Sequence, residues 1–140
     1  MATPKNILDG IRVLDFSQAL AGPTTTRLMA EMGAEVIKVE LAPNGEASRA
    51  LPYLRNGRSG YYIQQNRGKK SIAIERKDPR SIELLLKVLE KCDVLVENFA
   101  PGAKFSTSTS HFSSTLCRSS IERGSLRSTP TLFLPRFCWM

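Results

Sequence analysis

The sequence predicts an α/β fold: a partial parallel sheet of about four strands with two main helices, followed by an irregular tail. Three observations carry this expectation. Short runs rich in Val, Ile and Leu alternate with longer stretches whose apolar residues recur every three or four positions, and strand–helix alternation is the signature of a parallel sheet. One such run, Val94-Leu95-Val96, is apolar at every position, as suits a strand covered on both faces. After Gly102 the order stops, and neither strand-like nor helical periodicity persists.

Taken in order, Ile11-Arg12-Val13-Leu14-Asp15-Phe16 is rich in β-formers and short enough for a first strand. Ala21-Gly22-Pro23 follows as a turn in which Pro23 opens a helix. Thr25, Leu28, Met29 and Met32 give that helix one apolar face, and Gly33 is placed to end it in a left-handed cap. Val36 to Glu40 is a second strand, completing a unit of βαβ size. Residues 41–68 are polar and loop-like, with a short helical turn at Tyr61, Tyr62 and Ile63. Lys70 to Ile74 is a third strand. Asp78-Pro79 supplies an N-cap acid and a first-position proline for a second helix buried along Ile82, Leu85, Leu86 and Leu89. Val94 to Val96 is the fourth strand, with Glu97-Asn98-Phe99 at its carboxyl end.

The 140 residues are 41% apolar and 24% charged, a globular composition that excludes disordered and fibrous classes. No apolar run approaches the roughly 20 residues of a membrane span, and no signal-like apolar core follows Met1. Three cysteines without a CxxC give neither a disulfide framework nor a metal site; a reducing cytoplasm is the default localisation. The net charge of +7 invites a nucleic-acid reading, but its distribution argues against one. Residues 1–102 hold 15 basic and 12 acidic residues, a net +3. Residues 103–140 hold Lys104, Arg118, Arg123, Arg127 and Arg136 against Glu122, a net +4. This second segment also contains fourteen Ser or Thr. It reads as an aberrant tail, either a disordered interaction segment or, the favoured explanation, sequence translated out of frame. There is no GxGxxG after the first strand, so the dinucleotide reading falls and Glu40 is expected to finish its strand at the surface.

Five segments together resemble the N-terminus of the family III CoA-transferases, the superfamily of formyl-CoA transferase, carnitine CoA-transferase and α-methylacyl-CoA racemase. They are Leu8 to Phe16, Ala21-Gly22-Pro23, Gly33 to Glu40, Asn66 to Ile72, and Asp93 to Gly102. The resemblance covers about residues 8–102 and corresponds to roughly the first quarter of such a protein. It implies a partial Rossmann-like domain over residues 1–102, with residues 103–140 outside the pattern; the basic residue expected in a following helix is replaced by Ser106.

The resemblance also implies coenzyme A or acyl-CoA as substrate, a carboxylic acid as co-substrate, and no metal. By position, Leu20 and Ala21 match residues packing near the CoA thiol, Ile74 and Lys77 match residues around the adenine and phosphates, and Asn98-Phe99 match a pair lining the pantetheine path. A lysine suits the phosphates, and apolar walls with an amide partner suit pantetheine. Arg67, Lys69 and Lys70 read as a solvated basic loop that could also sit near a phosphate, and Gln18 is left without a role. The nucleophilic aspartate of the family lies downstream of Gly102, as does the racemase acid/base pair, and His111 aligns to nothing. No catalytic residue is therefore assigned, and the chain is expected to be truncated and inactive. Family members are intertwined homodimers, an assembly this chain is not expected to complete. Two rivals remain: a racemase-like acyl-CoA enzyme fragment, and a small non-catalytic module whose basic tail contacts nucleic acid.

Overall fold

The computed structural model describes residues 6–51, 53–75 and 77–98. In chain order the elements are β1 (Arg12–Asp15), α1 (Ala21–Glu31), β2 (Glu35–Leu41), β3 (Leu54–Arg55), β4 (Arg58–Ser59), α2 (Gly60–Asn66), β5 (Lys70–Ile74), α3 (Pro79–Leu89) and β6 (Val94–Val96). β5, β2, β1 and β6 form a wholly parallel sheet in that order. The expected α/β class and the four expected strands are present. β1 is the starting point from which the chain winds first towards β5 and then, on the other side, to β6. The strand order thus reverses between β1 and β6, the place where open α/β sheets hold ligands at their carboxyl ends.

Alternation along the strands divides the core in two. Val13, Val36 and Val96 face α1, with Met29 and Ala30 packed against them. Leu14, Phe16, Ile74 and Leu95 face the other way and meet Leu85 and Leu89 of α3. In β6, Val96 and Leu95 belong to opposite clusters, so that strand is covered on both sides, as its unbroken apolar run implied. Among the described residues no helix is long and apolar enough to cross a membrane.

The helix ends follow local chemistry. Gly33 takes φ +103°, its N–H reaches Ala30 O at 3.1 Å, and the next N–H, of Ala34, reaches Met29 O at 3.0 Å. This is the paired bond pattern of a glycine-terminated helix. Asp78 accepts a hydrogen bond from Arg80 N at 2.9 Å, and Pro79 occupies the first turn of α3. The turn expected at Tyr61–Ile63 is α2, whose start is capped by Ser59 Oγ accepting from Tyr62 N.

Some local readings are corrected. α1 begins at Ala21, two residues before Pro23; a proline is still tolerated there because first-turn N–H groups lack helical acceptors. The buried face of α1 is Gly22, Pro23 and Thr26, whereas Leu28 and Met32 are 45% and 41% exposed. The cause is polar: Thr26 Oγ1 donates to buried Asp15 at 2.6 Å, which turns that face inward. Ile82, expected in the buried stripe of α3, is exposed. Ser81 is buried instead, donating to Glu75 O at 2.6 Å, so the first turn of α3 leans on its own leading loop. The segment read as loop contains the β3–β4 hairpin, closed by Asn56 and Gly57 at φ +52° and +72°, the left-handed pair that matches strand twist.

Replacing Leu85 with Ala is expected to cost about 2–5 kcal/mol in urea unfolding, because its side chain is fully buried against the sheet. Ile82→Ala is expected to stay within about 0.5 kcal/mol. Equal midpoint shifts for the two would contradict the observed orientation of α3.

Candidate functional site at the carboxyl ends of the strands

Of the residues singled out in the sequence, Leu20, Ala21 and Asn98 lie together where β1 and β6 end. Asn98 joins the two strand ends directly: its Oδ1 accepts from Gln18 N at 2.9 Å, and its Nδ2 donates to Gln18 O at 2.8 Å. Leu20 and Ala21 begin α1 and are exposed, Leu20 by half. Leu20 gives the helix no side-chain cap. Gly22 is held by close approach, since a Cβ there would meet Ser17 Cβ at 2.2 Å and Asn98 Cγ at 3.3 Å. Ile74 and Lys77 lie at the far edge strand, β5, and its following loop. Lys77 is exposed, but Ile74 is 4% exposed and packed in the core facing α3, so its side chain is turned away from solvent. Phe99 lies outside the described residues.

Beneath this edge is a layer of buried charge that the sequence reading missed. Lys69 Nζ donates to Asp15 Oδ2 at 3.0 Å, Pro23 O at 3.0 Å and Asn66 Oδ1 at 2.9 Å, so all three ammonium protons have acceptors. Asp15 in turn accepts from Ser17 N, Ser17 Oγ and Thr26 Oγ1. Lys38 donates to Ser17 O at 2.8 Å and pairs with Glu46 Oε2 at 2.7 Å, off the hydrogen-bond axis. Glu40 receives Arg49 through Nε at 2.6 Å and Nη2 at 2.7 Å, together with Tyr62 Oη and Ser71 Oγ. The Arg49 guanidinium also lies 3.8 Å from the Tyr62 ring centre.

Two readings change here. Glu40 does not end its strand at the surface: it is 4% exposed, because it shares the inward side of β2 with Val36 and Lys38. The basic loop is not uniformly solvated. Arg67 and Lys70 are exposed and pair with Glu31 and Glu35, but Lys69 is withdrawn into the ionic layer. Period-two reading of β2 holds the signal for Lys38 and Glu40. Nothing local announces Lys69, whose partner is 54 residues away.

The electrostatics follow from this packing. Burial works to raise the carboxyl of Glu40, but hydrogen bonds from Arg49, Ser71 and Tyr62 outweigh it and hold the group well below the ordinary carboxylate range. Burial and the bond to Glu40 push the Tyr62 phenol up. Burial pushes Lys69 below an ordinary lysine, with Asp15 opposing the shift. At the amino edge, Lys70 and Arg12 together hold Glu35 down to about 2. Asp15, Glu40 and Glu46, the buried carboxylates of the ionic layer, are all engaged by cations.

The family III CoA-transferase sequence model matches residues 8–113. The chain belongs to CoA-transferase family III. Over 96 residues it is 47% identical to a formyl-CoA:oxalate CoA-transferase of Rhodopseudomonas palustris, covering 68% of this chain and 23% of that protein. It is 45% identical over the same length to a mouse succinyl-CoA:glutarate CoA-transferase, covering 22% of it. The chain therefore spans under a quarter of the length of these curated relatives. Rv3272 of Mycobacterium tuberculosis superposes with a TM-score of 0.66 at 35% identity, covering 91% of this chain and 32% of that one. A CAIB/BAIF family protein of Brucella suis gives 0.62 at 33% identity, covering 67% and 26%.

Lys69→Met is expected to destabilise the chain by about 3–5 kcal/mol, because it leaves Asp15 buried and unpaired. Asp15→Asn in the same chain should recover part of that loss, and additive losses in the double variant would remove the pairing argument. A second expectation concerns acid. Glu35 and Glu40 have folded-state values below the ordinary 4.5, so their stabilisation is complete above that pH and lost as pH falls through the folded values. Thermal midpoints should therefore decline from about pH 4.5 towards pH 2, and Glu35→Gln should flatten part of that decline.

Proposed function

We propose that this chain carries the CoA-binding share of a family III CoA-transferase site, one that moves coenzyme A between carboxylic acids. The observation that carries the reading is the family match combined with the position of Leu20, Ala21 and Asn98 at the β1–β6 reversal. Leu20 and Ala21 offer an apolar wall to pantetheine beside the uncapped start of α1, whose N–H groups favour an electron-rich ligand atom. Lys77, exposed at the far edge, suits the phosphates, while Ile74 lies in the core of the same edge strand. Asn98 borders the path between them.

The reaction class needs a carboxylate to attack the acyl-CoA thioester, form a mixed anhydride and expel the CoA thiolate. The buried carboxylates of the site edge are each committed to a cation, so we assign the nucleophile to none of them and place it outside residues 1–102. In this reading residues 103–140 come from a different reading frame, although the family match runs eleven residues into them, to 113. Translating the other two frames beyond codon 102 should restore a helix and then an aspartate.

The test is a calorimetric titration of the 140-residue chain with CoA and acetyl-CoA. Binding is expected, and Lys77→Ala should weaken it by about three- to tenfold at low salt, with the difference shrinking as salt rises. Acyl transfer above a buffer control would overturn the assignment of no catalysis, and absence of any CoA binding would overturn the reading as a whole.

A further inference from the structure

The loop between β1 and α1 is held in an unusual way. Its backbone polar groups at Ser17, Gln18 and Ala19 are met by side chains, one from Asp15 just before the loop and the others from elsewhere in the fold. Ser17 N donates to Asp15 Oδ1 at 2.8 Å, and Ser17 O accepts from Lys38 Nζ at 2.8 Å. Gln18 N and O are matched by the Asn98 amide at 2.9 and 2.8 Å. Ala19 N donates to Glu46 Oε1 at 2.9 Å, and Ala19 O accepts from Tyr61 Oη at 3.3 Å. Ala19 has φ +63°, a left-handed conformation that costs an alanine about 1 kcal/mol or more and persists where surroundings over-determine it.

We infer that Asn98 and Glu46 are positioning residues that fix the backbone of Ser17–Ala19, and through it the presentation of Leu20 and Ala21 to the CoA thioester. The inference rests on the CoA-binding reading for the identity of what the loop meets; the loop geometry is independent of it. The chemistry explains both residue types. A primary amide presents one acceptor and one donor side by side, so Asn98 pairs with Gln18 as a neighbouring strand would. Glu46 has two jobs that only a carboxylate of that reach performs: one oxygen accepts from Ala19 N, and the other lies against Lys38, whose own Nζ holds Ser17 O. The ion pair thus grips the loop at two points, on either side of Gln18. A loop fixed before ligand arrives avoids its ordering cost on binding.

Asn98 is exposed, so shortening it leaves no buried polar group behind. In Asn98→Ala, amide exchange at Gln18 is expected to speed up about tenfold or more, while the β1 amides Val13 and Leu14 and the unfolding midpoint stay unchanged. CoA affinity should fall about tenfold in the same variant. Asn98→Asp keeps an acceptor for Gln18 N but repels Gln18 O, so amide protection at Gln18 and CoA affinity should fall together. Glu46→Ala should speed exchange at Ala19. Unchanged exchange at Gln18 in Asn98→Ala, or faster exchange with unchanged CoA affinity, would overturn the inference. If the wild-type chain takes up no CoA, the CoA-binding reading fails along with the ligand half of this inference, and the exchange rates alone decide whether the two side chains hold the loop.

Discussion

An ammonium and a carboxylate removed from water each cost several kcal/mol unless they find one another and fill their remaining hydrogen bonds. Asp15 and Lys69 meet that condition completely. Asp15 sits at the end of β1 and Lys69 just before β5, so their pairing ties the middle of the sheet to its edge. Thr26 brings α1 to the same carboxylate, and Pro23 O brings its first turn to the same ammonium. The rotation of α1, which leaves Leu28 and Met32 in solvent, is a consequence. An apolar stripe contributes roughly 25 cal/mol per Å² buried, and an unpaired buried charge outweighs the gain from turning two more side chains inward.

The two faces of the sheet therefore do different work. The α3 face is apolar along its length, with Leu14, Phe16, Leu85 and Leu89 packed together, and it supplies cohesion. The α1 face is apolar along β6, where Val96 reaches the carboxyl end, but in β1 and β2 only at their amino ends. Towards the carboxyl end its inward positions become Asp15, Lys38 and Glu40. Charge placed there adds little net stability compared with apolar packing, but it is directional, and directional contacts can fix a loop where greasy ones cannot. The carboxyl edge of the sheet, with its held loop, and the buried charge coincide for that reason.

What the sequence disclosed follows the same division. Elements governed by nearest neighbours were legible: β5 and β6 have the expected limits, and Asp78-Pro79 starts α3. Errors arose where a tertiary contact overrode local pattern, as when Asp15 turned α1 and the β5–α3 loop took Ser81 in place of Ile82. The Asn56-Gly57 hairpin carried a turn signal that a generally polar segment obscured. Leu20, Ala21 and Asn98 converge where β1 and β6 end, whereas Ile74 is packed in the core of the edge strand. Lys38 and Glu40 could have been found by continuing the alternation from Val36, had charged side chains been allowed on a buried face. Glu46 and Lys69 could not, because what makes them special is a partner distant in the chain, Ala19 N for Glu46 and Asp15 for Lys69.

The supports of the β1–α1 loop have a further meaning when set beside the extent of the chain. Asp15, Lys38, Glu46, Tyr61 and Asn98 all fall within the segment shared with the family, and each holds a backbone atom of the loop, Asp15 meeting the Ser17 hydroxyl as well. Backbone atoms are present whatever residue occupies positions 18 and 19, so the shape of that part of the loop is insulated from its sequence. The side chain of Gln18 is then open to vary while the peptide path stays constant. The peptide path between β1 and α1 is in this sense set by contacts within residues 15–98.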